Sequence, residues 1–254
     1  MDKPAGPTSH DVVAAVRRVR GTRAVGHTGT LDPFATGLLV ILLGRATRLA
    51  RFVEQQAKTY LAVARLGAET DTDDATGAVV HEAVPAAWPS EDAVRDAVMA
   101  MRGPQQQVPP AYSAKKVDGV RSYARARAGE AVELPPVPVL VHDVALVAYE
   151  PPALTFRCTV SPGTYVRALA RDLGRALGTG AHLTALRREA IGALRVEDAV
   201  PLDGLGPDTP LHAPLEALAH LPRVPLDAAE AARVAHGIAV ERADGPVGGT
   251  ACLV

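Results

Sequence analysis

Apolar residues at Val12, Val13, Val16 and Val19 recur at helical spacing, with Arg17, Arg18 and Arg20 on the other face, which predicts a helix over residues 11–20. Thr8 or Ser9 can cap its start, and Gly21 can end it. The apolar run 38–43 predicts a second helix over about 35–49. Residues 59–66 alternate in the manner of a strand, and 79–83 are expected to return as its hairpin partner across the acidic run Asp71–Asp74. Val94, Val98 and Met101 mark a helix that follows Pro89-Ser90 and stops before Pro104. Strands are expected over 139–147 and 154–160, joined at Pro151-Pro152. A helix over 164–177 then carries the stripe Val166, Leu169, Ala170, Leu173 and Leu177. Beyond Ala199 prolines become frequent, and a short helix is expected over 227–236.

One stretch breaks this patterning. Residues 105–136 are rich in Gln, Pro, Arg and Gly with little periodicity, which reads as an excursion from the core. The whole chain, 254 residues and 48% hydrophobic, is long enough for one large domain with at most a small appendage. Its longest apolar run, 37–43, is far too short to span a membrane, and the Met-Asp-Lys-Pro start has no apolar leader, so a cytoplasmic protein with no membrane partner is expected. The two cysteines, Cys158 and Cys252, suggest neither a disulfide framework nor a zinc site. The acidic run lacks the alternating oxygen ligands of a calcium loop, because its fifth position is Ala75, and no metal is assigned. Net charge is −1, yet the basic residues gather in a few segments, and distribution matters more than the sum for a nucleic-acid partner.

The candidate chemistry centres on Gly26-His27-Thr28-Gly29-Thr30-Leu31-Asp32-Pro33-Phe34-Ala35-Thr36-Gly37, a run of small and turn-forming residues around a single carboxylate. Read alone, Asp32 before Pro33 is most often a turn initiator. Its company changes that reading. With Asp2–Gly6, Thr8-Ser9-His10-Asp11, Lys58-Thr59-Tyr60, the run 70–77 and Ser161-Pro162-Gly163-Thr164-Tyr165-Val166-Arg167, the chain resembles the TruB family of bacterial tRNA pseudouridine-55 synthases, in the right order from residue 2 to about 200.

The resemblance implies an α+β fold, a long, mixed and mainly antiparallel sheet flanked by helices. It implies a catalytic domain over 1–199 with an insertion at about 105–136, followed by a linker and an incomplete RNA-binding segment of the PUA type over 200–254. It implies that Asp32 acts on the ribose or the base, that Arg167 holds this carboxylate ionised and oriented, and that Tyr60 stacks on the flipped uracil with its hydroxyl near C5. Tyr165 and Leu186 would line the pocket, His27 would support the flipped RNA, and Lys58 would contact substrate. In the insertion Lys115, Lys116 and Arg121, interleaved with Tyr112 and Tyr123, would grip the T arm of tRNA. The implied reaction uses no cofactor and no guide RNA, and a monomer is expected. The alternative is an RNA-binding or tRNA-folding module with incidental catalysis, suggested by the basic, aromatic insertion.

Overall fold

A computed structural model describes residues 1–113, 116–117, 120–121, 134–241 and 250–254, with backbone only at 116–117 and 120–121. Its centre is β5 (Lys58–Leu66), whose alternate residues Lys58, Tyr60, Ala62, Ala64 and Leu66 all face inward. The long hairpin β11 (Val137–Glu150) and β12 (Ala153–Val160), turned at Pro151-Pro152, lies along one side of β5. β13 (Ala181–Ile191) pairs antiparallel along the other. β8 (Gly103–Gln107) extends the sheet beyond β11, while β3 (Thr36–Leu38) and then β1 (Asp2–Lys3) extend it beyond β13. The β13–β3 pair is parallel and the other pairs along this path are antiparallel, so the sheet is mixed and mainly antiparallel, as expected.

Helices pack on this sheet through apolar stripes, and side chains cap α1 and α3 where their stripes begin. In α1 (Ser9–Arg20) the hydroxyl of Thr8 accepts from Asp11 N while the Asp11 carboxylate accepts from Thr8 N, and Gly21 closes the last turn at φ 60°. Ser90 caps α3 (Glu91–Ala100), which buries Val94 and Val98 beside β11. α4 (Val166–Ala176) lays Val166, Leu169, Ala170 and Leu173 against β13, in one core with Phe156, Leu154, Leu183 and Leu66. Each of the Val, Leu and Phe side chains among these contributes about 2 kcal/mol by leaving water.

Three expectations are corrected. The stretch 35–49 is not a helix: it forms β3, then β4 (Val40–Leu43), then a 3-10 helix at Gly44–Leu49, with α-helix only in α2 (Ala50–Glu54). A short run that is apolar on every side has no helical period to read, and β4 is claimed by its antiparallel partner β2 (Val25–Thr28). The strand β7 (Val79–Glu82) pairs with β6 (Ala68–Thr70) and not with β5. Both edges of β5 are occupied by β12 and β13, and Gly67 at φ 99° turns the chain away first. The excursion expected from residue 105 starts after Gln107, because β8 is a sheet strand.

The chain past residue 199 is tied to this body. Asp2 N donates to the Val200 carbonyl, and Leu218 and Cys252 share a small core with Leu38, Val53, Ile191 and Val196. Asp227 caps the helix α5 (Ala228–Ala235), as the pattern predicts. No helix among the described residues is long and apolar enough to cross a membrane.

Gly37 marks a close approach between two strands that carry the site. It sits in β3 at φ 102°, and a Cβ there would fall inside contact distance of the Arg188 backbone in β13. Gly37→Ala is therefore expected to cost more than about 1 kcal/mol and to lower the thermal midpoint. A circular-dichroism melt unchanged from wild type would contradict this close approach.

Candidate active site

The loop 29–35, between β2 and β3, presents Asp32 on a frame of backbone carbonyls that buried cations hold in place. Lys3, fully buried, donates its Nζ to the carbonyls of Pro4 and Pro7, both at 2.8 Å, and of Pro33 at 3.2 Å. Arg188, also fully buried, donates Nε to the Leu38 carbonyl at 2.7 Å and Nη2 to the Gly29 carbonyl at 2.9 Å. Ser9, at the start of α1, both accepts from Leu31 N and donates to Leu31 O. Ala35 N closes the turn on the Asp32 carbonyl. Leu31 and Ala35 anchor the loop in the main core, and these polar contacts satisfy and fix its backbone.

Arg167, at the second position of α4, reaches this loop from the opposite side. Its Nε lies 3.0 Å from Asp32 Oδ2 and its Nη2 donates to Oδ1 at 3.3 Å, so the planar guanidinium meets the carboxylate at two points. The rest of the fork is held as well: Nη1 donates to the Thr72 carbonyl at 2.6 Å and lies 3.4 Å from Asp74 Oδ2, and Nη2 donates to the Tyr112 carbonyl at 3.0 Å. The Arg167 side chain is 5% exposed and that of Asp32 is 36% exposed, so the carboxylate faces an opening while its cation is enclosed.

Asp32 is held above the ordinary aspartate range. Burial is the main cause and the neighbouring Asp74 charge adds to it, while Arg167 and Lys3 pull the other way. Arg167 thus favours the ionised form of Asp32 and burial works against it. Such a carboxylate is a stronger base and nucleophile than a solvated one.

The other expected residues fall at different distances from this pair. Tyr60 and Leu186 are buried on the helix-facing side of β5 and β13 and share the core cluster of Leu31. Tyr165 occupies the N-cap position of α4, two residues before Arg167, its backbone bonded both ways to the Gln107 side chain, and burial raises its hydroxyl pKa. His27 is half-buried on β2, its ring edge-on to His10 at 6.5 Å, and its buried Nδ1 has no hydrogen-bond partner among the described residues. Burial is the main reason its pKa is lowered.

Lys58 is only 8% exposed and donates to the carbonyls of Glu54 and Gln56, a post beneath the loop that lowers its pKa to about 8 through burial. The structure therefore ties its ammonium to backbone and not to the opening. Lys115 lies outside the described residues, and of Lys116 and Arg121 only the backbone is described, in the short pair β9 (Lys116–Val117) and β10 (Val120–Arg121).

Reasoning from sequence did not assign roles to Lys3, Ser9, Thr72, Asp74 or Arg188. The first four lie inside motifs already singled out, which was the available signal. Arg188 had none, because the pattern assigns no element to residues 181–191, where the structure has β13. Among the described residues no group of three or more His, Cys, Asp or Glu is arranged to hold a metal ion.

Comparison with known proteins gives a consistent picture. A family model described as TruB family pseudouridylate synthase (N terminal domain) matches residues 17–166, and one described as tRNA pseudouridylate synthase B C-terminal domain matches 167–208. A protein of Thermobifida fusca (strain YX) named tRNA pseudouridine synthase B is 49% identical, over 98% of this chain and 88% of its own. One of the same name from Arthrobacter sp. (strain FB24) is 51% identical over 81% of this chain and 69% of its own. Among solved structures, a chain of an H/ACA RNP bound to a substrate RNA containing 2′-deoxyuridine matches with TM-score 0.71 and 26% identity over 94% of this chain. A chain of a Cbf5-Nop10-Gar1 complex matches with TM-score 0.73 and 28% identity over 93%. This chain spans 66% and 65% of those two chains, just under two thirds.

The electrostatic argument is directly measurable. A carbon-13 titration of the Asp32 carboxyl is expected to give a midpoint above 3.8, and Asp74→Asn, which removes a like charge, is expected to move that midpoint down. A midpoint at or below the ordinary value, or an upward move in Asp74→Asn, would contradict it.

Proposed function

The chain belongs to the TruB family of pseudouridylate synthases, and on that footing we propose that it converts uridine 55 in the T arm of tRNA to pseudouridine with Asp32 as the acting carboxylate. The observation that carries this reading is the two-point contact of Arg167 with Asp32 at the mouth of a buried cluster that contains Tyr60 and Leu186. The shared name of the similar proteins supports tRNA as the substrate. The lower identity to the ribonucleoprotein chains supports free tRNA, with no guide RNA, as the form acted on.

The reaction is balanced within the nucleotide. The bond from N1 to the ribose C1′ breaks, the base turns, C5 bonds to C1′, the C5 proton leaves and N1 gains one. No oxidant or reductant enters. Asp32 either attacks as a nucleophile or removes a proton at the ribose 2′ position, and its raised pKa serves both routes. Arg167 keeps the ionised form oriented, and Tyr60, in the strand beneath, stacks on the base and brings its hydroxyl to C5. Leu186 and Tyr165 shield the detached uracil from water, and His27 supports the flipped nucleotide.

Extruding the uridine costs a few kcal/mol, which binding must supply. In this reading Lys115, Lys116 and Arg121 grip the T arm from the insertion, residues 1–199 do the chemistry, and 200–254 add RNA contact. The chain acts as a monomer in the cytoplasm.

The test is release of tritium to water from an unmodified tRNA transcript tritiated at C5 of uridine. About one equivalent is expected, mapped to the T loop. Asp32→Asn is expected to slow release by on the order of 10³-fold or more with tRNA affinity nearly intact. Normal turnover in Asp32→Asn would sink the assignment of that residue, and tight tRNA binding with no release by the wild type would favour a binding module.

A further inference from the structure

Arg171 lies one helical turn beyond Arg167 on α4 and is only 7% exposed. Its three nitrogens go to three places: Nη1 to Asp73 Oδ2, Nε to Asp172 Oδ1 and Nη2 to the Val108 carbonyl, each at 2.9 Å. Two of these partners belong to the walls that hold Arg167. Asp73 stands between Thr72, whose carbonyl accepts from Arg167, and Asp74, whose carboxylate pairs with it. Val108 opens the strap that runs to Tyr112, whose carbonyl also accepts from Arg167.

Each wall needs a hold of this kind. Asp73 is the only non-glycine residue with positive φ among the described residues, at 58°, and its carboxylate is buried, so both its backbone and its charge are unfavourable without a partner. The strap 108–112 follows the end of β8 and has Gln107, bonded to the Tyr165 backbone, as its near anchor. A planar fork can serve the turn and the strap together, which a single ammonium on a flexible stem does less well.

We propose that Arg171 is a positioning residue: by bridging Asp73 of the acidic turn to Val108 of the strap, it fixes the Arg167 guanidinium against Asp32 and so sets the rate of isomerisation and not the affinity for RNA. This rests on the function proposed above. Arg171 touches no reacting atom, and it acts through the two surfaces that box Arg167 in.

The test uses the full chain, with single-turnover tritium release at saturating C5-tritiated tRNA beside a carbon-13 titration of Asp32. Arg171→Gln leaves Asp73 alone in a buried site, so the double variant Asp73→Asn/Arg171→Gln is measured with it. The double variant removes one charge of each sign, which largely cancels their direct influence on Asp32. The expected result in both is a rate lower by about 100-fold, as for a displacement on the order of 1 Å, with the tRNA dissociation constant unchanged and the Asp32 midpoint raised because Arg167 is slackened. A double variant with wild-type rate and wild-type midpoint, whatever its thermal midpoint, would overturn the proposal. Absence of tritium release by the wild type would instead overturn the proposed function, and the Asp32 titration would still decide whether Arg171 positions Arg167.

Discussion

An ionised carboxylate taken away from bulk water costs several kcal/mol unless cations and hydrogen bonds replace its hydration. Everything around Asp32 follows from meeting that demand without closing the opening the substrate needs. One arginine meets the carboxylate directly, while Lys3 and Arg188 spend their hydrogen bonds on backbone carbonyls, those of Pro33 and Gly29 in the loop that carries it among them. The division matters chemically. Were all three cations paired with the acid, its pKa would fall and its basicity with it. With two of them holding the backbone, the acid keeps a raised pKa and a fixed position.

The same economy of charge runs along α4. Arg167, Arg171 and Arg175, spaced four residues apart on one face, meet Asp74, Asp73 and Glu69 in turn. The acidic run, which by composition resembles a cation loop or a solvated turn, is the counter-face of this helix. Its carboxylates are also used inward: Asp74 accepts from the Thr72 hydroxyl and the Thr76 backbone, which folds the turn tightly enough to place the Thr72 carbonyl on Arg167. Helix and turn are therefore tied to each other by charge as well as by packing.

The parts of this architecture that were legible in the sequence are those decided locally. Thr8 and Gly21 bracket α1, Ser90 opens α3, and the stripe from Val166 to Leu173 is the buried face of α4, because caps and periodicity act within a few residues. What was illegible was decided at a distance. The run 38–43 is uniformly apolar, so nothing in it distinguishes a helix from the two strands it forms, and the choice belongs to β2, β1 and β13. The pairing of Asp32 with Arg167, 135 residues apart, follows from no spacing rule and entered only through resemblance. Arg188 lies in β13, a strand the pattern did not predict, and whether such a side chain faces solvent or passes under a loop depends on a register that the sequence does not display.

That distance has a further meaning for how the molecule comes into being. Gly29 and Arg188, whose contact secures one end of the Asp32 loop, are separated by 159 positions, and the parallel pairing of β3 with β13 spans a similar interval. Contacts of such long range form late, after the entropy of closing large loops has been met. During synthesis the segment bearing Asp32 emerges among the first, yet it stays without its clamp until β13 has left the ribosome and joined β5. An unfinished or prematurely ended chain thus carries Asp32 in an unorganised loop, and the Asp32 geometry on which the proposed chemistry depends arrives only with the completed sheet.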